Sequence, residues 1–313
     1  MNWSVRFLFA TLIAFLVYAT SASASVGPCK PGGSPNGPLC TFWKGKVTLI
    51  ADGDTIDVDL AGDGRKAPRR VRMTGYNAME LSTYSHTASK RRGDCHGVEA
   101  ANRLEQILRR GHMRVRLAAQ DPHSTTGGRL RRQVSTRIGG RWVDVGRYLL
   151  AEGHALWMPN GIEWAWNGEY ADLSRQAAVA GLRLWDTRGC GDGPSPGAAL
   201  TMHVNYDAKR NDRLNVNGEW AEIHNDSSAA VPLERWWFRD SALRRYTFQP
   251  GAVVPAGGTI TLHMGYGADT PDELHWGLDS PPFENPSYDA RATGDGGYLF
   301  DPRGNLRAWE IYN

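Results

Sequence analysis

The stretch DGDTIDVDL, residues 52–60, sets four aspartates into nine positions that otherwise follow a β-strand pattern. Side chains alternate across an extended chain, so Ile56, Val58 and Leu60 share one face and Asp57 and Asp59 the other. The outer pair reads as a solvated face. The same alternation puts Asp54 on the apolar side, just after a turn at Asp52-Gly53. An unpaired carboxylate facing a core is costly, so this pattern calls for a neutralising cation, either an arginine or a metal ion.

The 313-residue chain has the length of about two domains. Near its start Arg6 precedes the apolar run FLFATLIAFLVYA (Phe7 to Ala19) and a small-residue site at Ala22-Ser23-Ala24. That order predicts a cleavable secretory signal over residues 1–24. The run is short for a membrane span, so no transmembrane segment is expected after cleavage, and the product is expected to be secreted or held at the cell surface. Export permits disulfides. Cys29, Cys40, Cys95 and Cys190 allow three pairings. Cys29 and Cys40 flank a Pro/Gly-rich loop, which suits a local bridge and leaves Cys95 with Cys190. No CxxC or HxxxH spacing supports zinc.

Charge divides the chain. Ser25 to Ala198 carries 25 Lys and Arg against 17 Asp and Glu, a balance of +8; Ala199 to Asn313 carries 10 against 16, a balance of −6. The basic half is the candidate for a polyanionic partner. The expected organisation is a Pro/Gly-rich linker over 25–41, a first domain over 42–188, a linker by composition over 189–199, and a second domain over 200–313. In the first domain, strands run from Phe42 to about Thr74. A helix follows over 97–111 with Val98, Ala101, Leu104 and Leu108 inward, then a strand around Met113 to Leu117, a hairpin around Gly139-Gly140, and helices from Val145 and from Glu169 to Leu184. Short strand-like runs such as WAEIHND and TITLHMG fill the second domain and read as an antiparallel sandwich of roughly seven strands. Its Glu219, Glu222 and late aspartates read as exposed strand faces.

Three patches in the basic half offer chemistry. DGDT supplies Asp54. VRMTGYNAMELS, residues 71–82, supplies Arg72, with Val71 and Met73 on the opposite strand face, and Glu80 after a turn at Gly75. TTGGRLRR, residues 125–132, places Arg129 at a strand start after a Gly turn, and leaves Arg131 and Arg132 as surface charges. A carboxylate metal ligand, a carboxylate base and two guanidiniums form the set that phosphodiester hydrolysis needs. Each part alone also has an ordinary structural explanation; their order and spacing are more specific.

On these pieces, with the CHGVEAANRLEQIL, VGRYLLAEGHA and ADLSRQAAVAGLRLW helices, residues Lys44 to Thr187 resemble the staphylococcal nuclease-like (thermonuclease) family. The resemblance implies a mainly β fold, a five-stranded oligonucleotide-binding-type barrel with three helices. It implies a calcium-dependent endonuclease that cuts DNA and RNA and leaves 3′-phosphate ends. By position, Asp54 corresponds to the metal-ligating aspartate, Arg72 and Arg129 to the phosphate-binding arginines, and Glu80 to the carboxylate assigned as general base or water-positioning group. The family's second metal-ligating aspartate falls on Asn77, the neighbouring carbonyl ligand on Ala78, and its usual proline on Met79. With Asn77 one formal charge is missing, and weaker calcium binding or a changed metal preference is expected. Lys90, Arg91 and Arg92 could contact phosphates or form a solvated loop; Trp157 could stack a base or pack in the core.

The pieces GEWAEIHN, PAGGTI and GDGGYLFD, over Leu200 to Asn313, resemble the lamin tail domain, an immunoglobulin-like sandwich. No catalytic set is visible there. An accessory or tethering role with an unknown ligand is expected. The alternative for the whole chain is a catalytically weak nucleic-acid-binding module, for which Asn77 and Met79 speak.

Overall fold

Apolar alternation in five strands points Val47, Ile56, Val58, Val71, Met73, Val115, Leu117 and Val134 into one interior, where all are buried. The computed structural model describes residues 24–32, 36–81, 94–191, 193–287, 291 and 294–313. The signal-sequence expectation, Ala24 apart, and the Lys90-Arg91-Arg92 cluster lie outside the described residues. The five strands are β1 (Leu39–Ile50), β2 (Thr55–Leu60), β3 (Arg69–Met73), β4 (Arg114–Ala119) and β5 (Arg129–Ile138). β1, β2 and β3 pair antiparallel in sequence, β3 pairs parallel with β5, and β5 pairs antiparallel with β4. The β4–β1 ladder, from Thr41↔Ala119 to Lys46↔Arg114, closes the barrel as expected and leaves it no open edge.

Three helices accompany it: α1 (Gly97–Arg110), α2 (Val145–Ala151) and α3 (Asn167–Val179). α1 buries Ala100, Ala101, Leu104, Ile107 and Leu108, with Glu99 in its first turn and Arg109 and Arg110 in its last, each sign complementing the helix dipole. Val98, expected inward, is exposed because the buried file begins one residue earlier, at Gly97. α3 stops at Val179; Leu184 is buried from a separate single turn, Arg183–Trp185.

The segment before the barrel is more ordered than its composition suggested. Ser25–Pro28 pairs antiparallel with Leu39 to Phe42, and the Cys29–Cys40 disulfide closes the hairpin. The second disulfide joins Cys95, just before α1, to Cys190. Residues 189–199, expected as a linker, are held to the C-terminal domain: the Cys190 N–H donates to Asn305 Oδ1 at 2.8 Å, and Arg307 Nη2 donates to the Ser195 carbonyl at 2.9 Å.

The C-terminal domain is a two-sheet sandwich. One sheet holds β6 (Leu200–Asn205), β7 (Trp220–Asn225), β10 (Thr259–His263) and β11 (Glu273–His275), with only β10 and β11 parallel. The other holds β9 (Arg245–Thr247), β8 (Trp237–Asp240), β12 (Asp295–Phe300) and β13 (Leu306–Tyr312). Val204, Ile223, Phe238, Ile260 and Leu299 pack between them. Glu219, Asp240, Asp295 and Asp301, expected on exposed faces, are buried. Backbone N–H groups compensate them: Phe283 donates to Glu219, Ser241 and Gly296 to Asp295, and Arg303 and Asn305 to Asp301. Desolvation still pushes Glu219 up to about 8.

The two domains share an apolar seam. Met79, Leu156, Ala177, Ala178, Leu184 and Trp185 of the first meet Trp237, Tyr298, Phe300 and Leu306 of the second. The Trp185 and Trp309 rings cross it with centroids 5.2 Å apart. Burial of this many large side chains makes the arrangement one packed body rather than two tethered ones.

Candidate active site

Strand register gathers the site at one end of the barrel. Thr55 is directly opposite Arg72, and the parallel β3–β5 pairing sets Val71 beside Leu130, so Asp54, just before β2, lies at nearly the level of Arg72 on β3 and Arg129 on β5. Arg72 Nη1 donates to Asp54 Oδ1 in a buried ion pair whose side chains are 4% and 1% exposed. Arg129 Nη1 lies 3.4 Å from Thr55 Oγ1, which in turn donates to Asp54 Oδ1 at 2.9 Å. The cation that Asp54 required is therefore, in the protein alone, Arg72. Arg72 Nη2 is buried with no hydrogen-bond partner among the described residues.

Glu80 reaches the same place from the turn after β3. A two-residue ladder, Tyr76–Asn77 against Leu156–Trp157, fastens that turn, and the Ala78 N–H donates to Asp54 Oδ2 at 2.8 Å. Close backbone approach depends on two glycines. A Cβ on Gly53 would stand 2.6 Å from the Ala78 Cβ, and one on Gly97 would stand 2.5 Å from the Glu80 carbonyl oxygen. Glu80 is half-buried. Desolvation raises its carboxyl above the ordinary Glu range, Asp52 and then Asp94 add to the rise, and Arg72 and Arg129 oppose it. Those four neighbours place Glu80 in the field of both arginines.

Asp52 was read from sequence only as a turn residue. Its Oδ1 accepts from the Asp54 N–H at 2.9 Å, and its charge raises both Asp54 and Glu80. Burial pushes Asp54 up to about 7 against the pull of Arg72. Asp52, Asp54 and Glu80 are an oxygen-rich acceptor set in which the Asp52 charge raises the other two, and it fits a hard divalent cation at Asp54 and Asp52. Asn77 fits that role less well than the resemblance implied. Its Nδ2 faces Asp54 Oδ2 at 3.2 Å, while its Oδ1 accepts from Arg239 Nη1 at 3.0 Å. Turning the amide over would set oxygen against carboxylate and NH2 against guanidinium, so electrostatics hold it as described. Ala78 presents its N–H, not its carbonyl, to Asp54.

Trp157 does not bind bases. It is fully buried in the barrel core, paired with Tyr76, and has no face for a nucleotide. Arg132, read as a surface charge, is also buried: it donates to the Ser124 and Pro122 carbonyls and lies 4.6 Å above the Trp43 ring. Cys95, His96 and Cys190 bring ligand atoms together, but the two sulfurs are joined to each other and leave no thiolate for a metal.

No local sequence signal marks Arg239, because its partner Asn77 lies 162 residues earlier. It comes from β8 of the C-terminal sandwich, and residues 196–313, which hold that sandwich, match the family model described as Lamin Tail Domain. The C-terminal part of the chain is a lamin tail domain. The matched span stops short of the barrel, and no curated protein matches the chain. The lamin tail domain thus touches the candidate site directly. The two positions that depart from the nuclease-like pattern, Asn77 and Met79, both face it: Asn77 bonds Arg239 and Met79 packs into the seam with Trp237.

Proposed function

We propose that the barrel is a calcium-dependent endonuclease hydrolysing phosphodiester bonds of DNA and RNA with little sequence preference. The observation that carries this is the meeting of Asp54, Arg72, Arg129 and Glu80 at one barrel end, from three separate stretches of chain. Asp54 and Asp52 are the groups that would hold the ion, which when bound offsets negative charge on the scissile phosphate. Arg72 keeps a buried Nη2 with no partner among the described residues, and Arg129 adds a second guanidinium, so the two forks are the groups to stabilise the five-coordinate phosphorus. Glu80, its basicity raised by burial, accepts the proton of the attacking water. The water oxygen bonds to phosphorus, the bond to the 5′ oxygen breaks, and that oxygen takes a proton from solvent water as it leaves; a 3′-phosphate remains.

The basic barrel half suits a polyanion held through its backbone. Export fits the amino-terminal signal pattern and the two disulfides, and no helix of the described residues is long and apolar enough to cross a membrane. Plasmid and RNA should both be degraded in calcium and spared in chelator, read on gels with end-group analysis for 3′-phosphates. Binding without cutting would favour the other reading, a recognition module, which draws on Asn77 Oδ1 being committed to Arg239.

Asn77→Asp probes the metal role of this position. The added carboxylate faces Asp54, loses an N–H donor, and gains an ion pair with Arg239. The calcium concentration for half-maximal activity should fall about tenfold, and the chelated protein should melt several degrees lower. An unchanged calcium midpoint would place residue 77 out of reach of the ion.

A further inference from the structure

The seam opens beside Glu80 into a cavity of about 210 Å³, several times the roughly 30 Å³ that one water occupies in the liquid. Its walls come from both domains: Asn77, Ala78, Glu80 and Asp94 from the barrel side, Arg239 and Arg245 from the lamin tail domain. Arg239 is 7% exposed. Its Nη1 is held by Asn77 and its Nε by the Asp240 carbonyl at 3.2 Å, while Nη2 is buried with no partner among the described residues. A buried guanidinium N–H without an acceptor is costly, and it marks a place where a ligand oxygen would be welcome. Arg245 lies on the open side. Its guanidinium stacks 4.2 Å from the centre of the Trp237 ring, and Trp237 stacks in turn on Phe300, so the fork is oriented before any ligand arrives. Asp94 shares the cavity wall with both arginines, and their charges draw on its carboxylate, so it competes with a ligand anion for them.

Resting on the nuclease reading of the barrel, we infer that Arg239 and Arg245 of the lamin tail domain form a phosphate subsite that holds the nucleic-acid backbone next to the scissile bond. The acidic domain thereby contributes a local cationic pair to the substrate path, although its overall charge is negative. Asn77 is the coupling residue: it fixes Arg239 on one side and hydrogen-bonds Asp54 on the other. The departures at Asn77 and Met79 then belong to a barrel adapted to a docked partner domain.

The test uses the full chain and a fluorescein-labelled single-stranded oligonucleotide, with affinity read by anisotropy in chelator, where hydrolysis is off. Arg245→Gln should weaken binding about fivefold and Arg239→Gln about tenfold. Each should reduce the slope of log affinity against log salt by about 0.7. Asp94→Asn should tighten binding two- to threefold, by removing the competitor. In calcium, R245Q should raise the KM for the oligonucleotide with little change in kcat, and should change the KM for a p-nitrophenyl ester of thymidine 5′-phosphate, which has no flanking phosphate, far less. Arg245 is exposed, so R245Q keeps the fold and decides the matter even if R239Q melts early. Unaltered affinity and salt slope in R245Q, beside an unaltered protein that binds and cuts, would overturn the subsite alone. An unaltered protein that neither binds nor cuts would overturn the nuclease reading, and the subsite with it.

Discussion

Glu80→Gln is expected to slow hydrolysis by about 10²–10⁴-fold while moving the melting temperature by no more than about 2 °C. The substitution keeps the shape of a half-buried side chain and removes only its ability to take a proton. The pH profile carries a second signature. Burial raises the Glu80 carboxyl, with Asp52 and Asp94 adding to it. The working form is the carboxylate, and a raised pKa means that form is populated only at higher pH. The acid limb of kcat/KM should therefore lie above the ordinary Glu range, with activity falling as pH drops through it. Asp94→Asn removes one of the charges that raise it and should move the limb to lower pH. If E80Q keeps more than a tenth of the rate, or D94N leaves the limb in place, Glu80 is not the base.

Arg72→Ala should cost both folding and chemistry. The pair with Asp54 is almost wholly buried, so deleting the guanidinium strands a carboxylate whose other partners are the neutral donors Thr55, Asn77 and the Ala78 N–H. A loss of about 3–5 kcal/mol follows, on the order of 10 °C in melting temperature. The sign of the pH effect is set by Asp54. Burial already pushes its carboxyl up, so at low pH it takes a proton in the folded state and needs no partner. The stability deficit of R72A should shrink from pH 8 to pH 5. Activity should fall about 10²–10³-fold. Arg72→Lys separates the two effects: it returns a charge to Asp54 and most of the melting temperature, but not the fork that meets a phosphate. An R72K protein as active as the original would remove Arg72 from the chemistry and leave it a structural ion pair.

Much of the barrel was legible because its signals are local. Period two in residues 56–60, the Gly127-Gly128 and Gly139-Gly140 turns with all four glycines at positive φ, and the short span between Cys29 and Cys40 each depend on residues close in sequence. Inward placement of Asp54 followed from the same alternation and is confirmed by its 1% exposure. Readings that depended on what covers a residue fared worse. Arg132, Glu219 and Asp295 all looked available to solvent, and all are buried; for Trp157, left open between stacking a base and packing, burial decides for packing. A sequence shows that a side chain can be polar or flat; it does not show which distant surface will close over it.

The amino-acid sequence by itself determined the two sets of elements, the charge division and the residue types of the candidate site, because alternation, turn chemistry and motif spacing act over a few residues. Tertiary structure alone decided that Arg72 neutralises Asp54, that Asp52 joins the acid cluster, and that the lamin tail domain sets Arg239 against Asn77. The physical reason is range: hydrogen bonds and desolvation act over ångströms in space, and the chain brings residues 77 and 239 within that range only by folding and docking both domains.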